Sequence, residues 1–301
     1  MTGVRPSDER ASVGNPFLES TQVRALSAER YAGAIDPIWN LRPIPQGGGV
    51  TAIALRAMAN ALGDPTQRLR TMHTTFAAQV VAGPVTIDVE VLRRGRSMSQ
   101  VRAEIRNDDA TRGHLTTAVF GTARRGFDFT DLEPPAEWPH PDDCPSFRDP
   151  PPPGVPVFEP MPFWDQLVEG RPVLGHAPWD VYEPDRAECA SWHRFDDPPF
   201  LDDGTIDPLS LVVLADTMPG AVGEKVGRQG DPWFAPSIDL TVHLLDECRS
   251  PWVLCHNRAR YAGDGYASAD MALWDCGPDC DEEPRLVVYA TQLFLFTFAV
   301  G

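Results

Sequence analysis

At 301 residues, with 42% hydrophobic content, eight tryptophans and fourteen phenylalanines, the chain is too apolar to be disordered and long enough for one large domain or two modules that each bury a core. Its 26 basic against 43 acidic residues leave a formal charge of −17, which sets aside nucleic acid and anionic membrane surfaces as partners. No run of about 18 apolar residues occurs and the N-terminal stretch lacks an apolar signal core, so a cytoplasmic, non-membrane protein is expected.

Residues 1–14 read as a loose polar tail. Residues 29–41 alternate as one or two strands, and Pro43 to Gly49 reads as a glycine-rich turn. A helix over 50–62 follows, with Leu55, Met58, Ala59 and Leu62 at helical spacing and Gly63 and Pro65 closing it. Strand-like runs over 69–80, 84–93, 97–107 and 114–121 come next, joined by short turns; Val85, Ile87, Val89 and Val91 alternate with polar neighbours as in a half-exposed antiparallel strand.

From 130 to 185 prolines are dense and periodicity fades, which reads as an extended linker with a short ordered piece near 162–168, packed across the body of the protein. The first pattern then recurs: a strand over 188–195, a helix over 207–218, and strands over 237–245, 252–261, 266–274 and 285–298. Strand, helix and four-strand meander thus occur twice, as two copies of one module, 15–129 and 186–301.

The second helix carries an anomaly. Asp207 suits the N-cap and Pro208 the first turn, and Leu209, Val212, Val213 and Asp216 then fall at i, i+3, i+4 and i+7, which puts a carboxylate on the stripe facing the core. A buried carboxylate is costly unless it is satisfied or functional. Six cysteines are scattered without a framework and are expected to be reduced. Cys276 and Cys280 sit in an acidic turn without a second ligand pair, so no metal is expected, and no cofactor is called for.

The ordered set of segments resembles the type II (TesB-like) acyl-CoA thioesterases. It comprises Gln46-Gly47-Gly48-Gly49, the strand and turn from Thr86 to Ser97, Ala215-Asp216, the strand from Ser237 to His243, and Thr291-Gln292. The resemblance implies an α+β protein of two tandem hot-dog modules, each a curved antiparallel sheet wrapped around a long helix. It also implies an acyl-CoA substrate hydrolysed to free acid and coenzyme A, in lipid metabolism, by a protein that could form a homodimer or higher homo-oligomer. Position by position, the family's water-holding Asp, hydroxyl and Gln fall on Asp216, Ser237 and Gln292, with Thr241 as the alternative hydroxyl on the same strand. Backbone N–H groups of Gly48, Gly49 and Val50 would meet the oxyanion and substrate. Laid over the second module, the first puts Asn60, Leu69 and Thr117 at these places, so one site per chain is expected.

An apolar setting would raise the pKa of Asp216 toward a useful base, while Ser237 and Gln292 can each donate and accept. Other readings stand beside these. The glycines could be only a turn, Gln292 could satisfy backbone groups, Ser237 could be a strand end, and Asp239 is a second candidate base. His73 and His243 read as core or interface residues, and Arg93, Arg94 and Arg96 as either phosphate contacts or a solvated turn. A non-catalytic acyl-CoA-binding double hot-dog protein is the alternative function.

Overall fold

The computed structural model describes residues 14–155, 161–227 and 231–298, so the expected tail lies outside the described residues apart from Gly14. The elements in order are α1 (Pro16–Ser20), β1 (Arg24–Ala25), β2 (Arg30–Ile35), α2 (Gly47–Leu62), β3 (Arg68–Phe76), β4 (Gly83–Arg93), β5 (Met98–Asn107) and β6 (His114–Gly121). There follow α3 (Pro162–Gln166), β7 (Val168–Leu174), β8 (Glu188–Phe195), α4 (Pro208–Ala215), α5 (Pro219–Val226), β9 (Trp233–Phe234), β10 (Asp239–Leu244), β11 (Val253–Gly263), β12 (Tyr266–Asp275), β13 (Arg285–Leu295) and β14 (Thr297–Phe298).

Twelve strands form one sheet in the order β1-β2-β4-β5-β6-β3-β10-β13-β12-β11-β8-β7. The order reads as a half followed by its mirror image, and the halves join where β3 pairs antiparallel with β10, Thr241 opposite His73. A two-fold relation between the modules therefore runs through the β3–β10 seam. Inward-facing residues of both halves and the helices α2 and α4 make one continuous apolar core. An edge-on aromatic cluster closes it: Phe17 lies 6.1 Å from Trp39 and 5.2 Å from Phe195. Asn15 caps α1 and donates to Asp197 O at 2.9 Å, which ties the start of the described chain to the second module.

Several elements differ from expectation. The glycines are not a turn before the helix but its first residues, with Gln46 as N-cap. The segment over 130–185 contains β7, an edge strand paired with β8; Pro172 masked it, and an edge is where proline is tolerated in a sheet. Farther upstream the same segment packs on the outer face of β8, β11 and β12. There Leu132, Trp138 and Cys144 join Trp192, Trp252 and Trp274 in a second core, and Trp192 Nε1 donates to Pro139 O at 2.9 Å. Cys276 and Cys280 are buried in that core, and all six cysteines are free.

Two buried histidines set an acid limit on this fold. His114 and His193 each leave Nδ1 without a partner among the described residues, and burial pushes both pKa values down to about 4. A histidine whose folded pKa lies below its unfolded value contributes stability above pH 6.5 that is lost as pH falls toward 4, on the order of 3 kcal/mol each. Denaturant unfolding of wild type between pH 7 and 4 should show this loss, and a His114→Gln/His193→Gln variant should show a shallower one. Equal slopes for the two proteins would refute the neutral burial.

Candidate active site

The site begins with a backbone crossing. Gln46, in extended conformation, accepts from Gly49 N at 2.6 Å through its side-chain oxygen and so starts α2 at Gly47. A Cβ on Gly48 would lie 2.8 Å from Val212 O and 3.0 Å from both Asp216 Cβ and Val213 Cα. One on Gly47 would lie 2.7 Å from the Phe76 ring and 2.9 Å from Asp216 Oδ2. The glycines are there for close approach, allowing the first turn of α2 to lie directly on the last turn of α4.

At that contact α4 stops. Every residue from Leu209 to Ala215 is buried, so the apolar stripe was in truth the whole helix surface, and Asp216 is its C-cap, non-helical at φ −91° and ψ 47°. The helix expected over 207–218 thus ends three residues early, and Pro219 stands in the first turn of a separate helix, α5. Asp216 is 7% exposed. Its Oδ2 accepts from Gly48 N at 2.7 Å, and its Oδ1 accepts from Ser237 Oγ at 3.1 Å and from Gln292 Nε2. Gln292 Nε2 also donates to Ser237 Oγ at 2.8 Å, and Gln292 Oε1 is buried with no partner among the described residues. Burial pushes the Asp216 carboxyl up to about 6, against the donors from Gly48, Gln292, Ser237 and Gly47, which pull it down.

Gln46 is the residue that sequence reasoning missed. Fully buried, it donates through Nε2 to Val213 O at 2.8 Å and Asp216 O at 3.0 Å. It therefore caps the start of one helix and the end of the other, fixing Asp216 against Gly48. Glutamine stands outside the preferred N-cap set of Ser, Thr, Asp, Asn and Gly, so the local sequence carries no capping signal at Gln46.

Asp216, Ser237 and Gln292 thus come together; Thr241 does not. Ser237 bridges Phe294 while Thr241 pairs with Thr291, so four steps on one strand oppose three on the other. The extra residue is a bulge, which flips the alternation. Ser237 turns inward, whereas Thr241 meets His73 Nδ1 at 2.9 Å on the outer face. Asp239 Oδ1 accepts from Leu293 N at 2.8 Å, which repairs the ladder beside the bulge and gives that carboxylate a structural task. His73 and His243, expected as core or interface residues, are exposed and lie on the β3–β10 seam between the modules, His73 opposite Thr241 and His243 opposite Thr71.

The proposed oxyanion donors are also redistributed. Gly49 N donates to Gln46 Oε1 and Val50 N to Gln46 O at 3.3 Å, so neither faces the site, and Gly48 N is held by Asp216. The cause is that a helix beginning at Gly47 turns those two amides onto its own cap. Of the arginine cluster, Arg94 donates to Leu62 O and Ala61 O and closes the far end of α2.

The first module holds no such trio. There Leu69 pairs with Phe120 and Arg70 is the bulge residue, just as Ser237 meets Phe294. Leu69 thus stands for Ser237, as expected, and Ala118, two residues before Phe120, stands for Gln292. Thr117 faces outward, and Asn60 is exposed. Aligning the caps Gln46 and Asp207 puts Leu55 in place of Asp216. Three polar groups become Leu55, Leu69 and Ala118, all buried.

Comparison with known proteins places these features in context. Residues 35–124 match the family model of the acyl-CoA thioesterase N-terminal domain, and residues 141–296 that of the C-terminal domain. A hot-dog-fold protein of unknown function from Alicyclobacillus acidocaldarius is similar over 96% of this chain and 100% of its own, with 23% identity and a TM-score of 0.76. An acyl-CoA thioesterase II from Mycobacterium marinum shows 20% identity over 95% and 99% of the two chains, with a TM-score of 0.71. A TesB protein from Mycobacterium avium subspecies paratuberculosis shows 16% over 93% and 98%, with a TM-score of 0.67. A comparison with curated protein sequences gives no match. The fold shared with these structures is the double hot-dog expected above.

Proposed function

The chain belongs to the acyl-CoA thioesterase family and is a thioester hydrolase, and from that premise we propose that Asp216 is its general base, with Ser237 and Gln292 holding the attacking water. The observation that carries this reading is the asymmetry of the repeat: a buried carboxylate, hydroxyl and amide meet in one module, where the other has Leu55, Leu69 and Ala118.

A water in this site donates one O–H to Asp216, and the other to Gln292 Oε1, the acceptor left without a partner among the described residues. As its oxygen bonds to the thioester carbonyl carbon, its proton passes to Asp216. The developing oxyanion needs a donor. Gly48 N–H at the positive end of α2 is the nearest, and it turns from Asp216 Oδ2 to the carbonyl oxygen as the carboxylate takes up the proton. Collapse of the tetrahedral intermediate breaks the C–S bond. Asp216 returns its proton to the departing coenzyme A thiolate, and the free acid leaves.

The base works only when ionised, so kcat/KM should rise about tenfold per pH unit below pH 6 and level off above it, with the midpoint near the Asp216 value of about 6. Thiol release measured from pH 4.5 to 8.5 on short, medium, long and aromatic acyl-CoAs tests both the reading and the profile. Flat dependence through pH 6 would remove Asp216 as the base. The meeting of the three polar groups speaks against the non-catalytic binder; binding of every acyl-CoA with hydrolysis of none would restore it.

A further inference from the structure

The two-fold relation that pairs the modules also generates a second place in the molecule equivalent to the active site. Its members follow from the register. Pro208, first after the cap Asp207, corresponds to Gly47, first after the cap Gln46. Leu69 corresponds to Ser237 through the matching bulges. Leu244, seven residues beyond Ser237, corresponds to Phe76, seven beyond Leu69. These three counterparts line one cavity of about 350 Å³ at the N-terminal end of α4.

Resting on the reading of the first site as an acyl-CoA site, we propose that this cavity is a second acyl-binding site, which takes the acyl chain of an acyl-CoA and does not hydrolyse it. Its inner wall is apolar, with Ile206, Leu211 and Leu244 beside Leu69. The place of the base is filled by the uninterrupted helix α2 at Leu55. One turn away, the N-cap Asp207 is 2% exposed, ion-paired with Arg56 and bonded to Leu209 N at 3.0 Å, so that carboxylate has a structural task at the start of α4, and it does not line the cavity. At the rim, Arg68 is joined to Glu247, and Asp246 to Arg285 just outside the lining, while Arg70 donates to Gly121 O and Asp203 accepts from Thr205. Rim charges of both signs, each already engaged, leave apolar length, not a charged head, as the feature recognised. The site sits at one end of α4 and Asp216 at the other, eight residues or about 12 Å apart.

A non-hydrolysable thioether, S-dodecyl-coenzyme A, titrated calorimetrically into the full chain tests the proposal. Wild type should bind two equivalents, and so should Asp216→Asn. Leu244→Trp, which fills the cavity, should bind one, with turnover of acyl-CoA within about twofold of wild type. Leu201→Trp at the cavity mouth, 39% exposed in the native chain, makes the same test with little risk to folding. One equivalent in wild type, or two in a folded cavity-filled variant, overturns the second site while leaving the Asp216 reading intact. Loss of hydrolysis in every wild-type assay with two equivalents still bound would overturn the Asp216 reading alone.

Discussion

Asp216→Asn is expected to lower turnover by about 10² to 10⁴ at pH 8, the range for loss of a general base, without loss of stability. The amide has the size of the carboxylate, and the Gln292 side-chain amide can reverse to present its unpartnered oxygen to the new Asn nitrogen. Stability should if anything increase. The folded carboxyl titrates near 6 because it is buried, against a reference of 3.8, so ionising it costs the fold on the order of 3 kcal/mol as pH rises through that window. A neutral Asn does not incur that cost. Thiol release and thermal unfolding at pH 8 check both halves, and a folded variant with unchanged turnover would exclude Asp216 from the chemistry.

Gly48→Ala should damage the protein in two ways at once. In a first helical turn, alanine would ordinarily gain up to about 1 kcal/mol over glycine. Here the added methyl meets the backbone of Val212 and Val213 and the Asp216 Cβ, none of which is a flexible side-chain end. Forcing α2 and α4 apart costs about 1 to 3 kcal/mol of overpacking, which exceeds the propensity gain. It also withdraws the Gly48 N–H from Asp216, so turnover should fall by about 10² or more, the cost of one oxyanion donor. Gly223 in α5, where a Cβ meets nothing within 4 Å, is the control: Gly223→Ala should leave turnover unchanged. Full activity in Gly48→Ala would mean that the crossing tolerates separation and that Gly48 N–H is dispensable.

Much of the fold was legible because short-range alternation and capping decide it. The strands His114–Gly121 and Glu188–Phe195 have the expected bounds, Asp207 caps α4 as its neighbours suggested, and the recurrence of the pattern announced two modules. Failures cluster where a residue plays two parts. Pro172 reads as a linker residue and sits in an edge strand; Gly47 to Gly49 read as a turn and are helical, since only their lack of side chains, not their backbone angles, is used.

The sequence by itself determined the class and the repeat, and its family resemblance singled out Asp216, Ser237 and Gln292; the apolar counterparts Leu55 and Ala118, in place of Asn60 and Thr117, came from the pairing register and the helix caps. Only the tertiary structure decided which hydroxyl turns inward, which amides remain for an oxyanion, and that Gln46 holds the site together. The reason is geometric. A strand's period of two assigns faces only until a bulge inserts one residue, and that insertion is visible solely as a shift in pairing between β10 and β13. In the same way, a glycine's close contact and a glutamine's bonds to two distant carbonyls exist only once α2 has been laid across the end of α4.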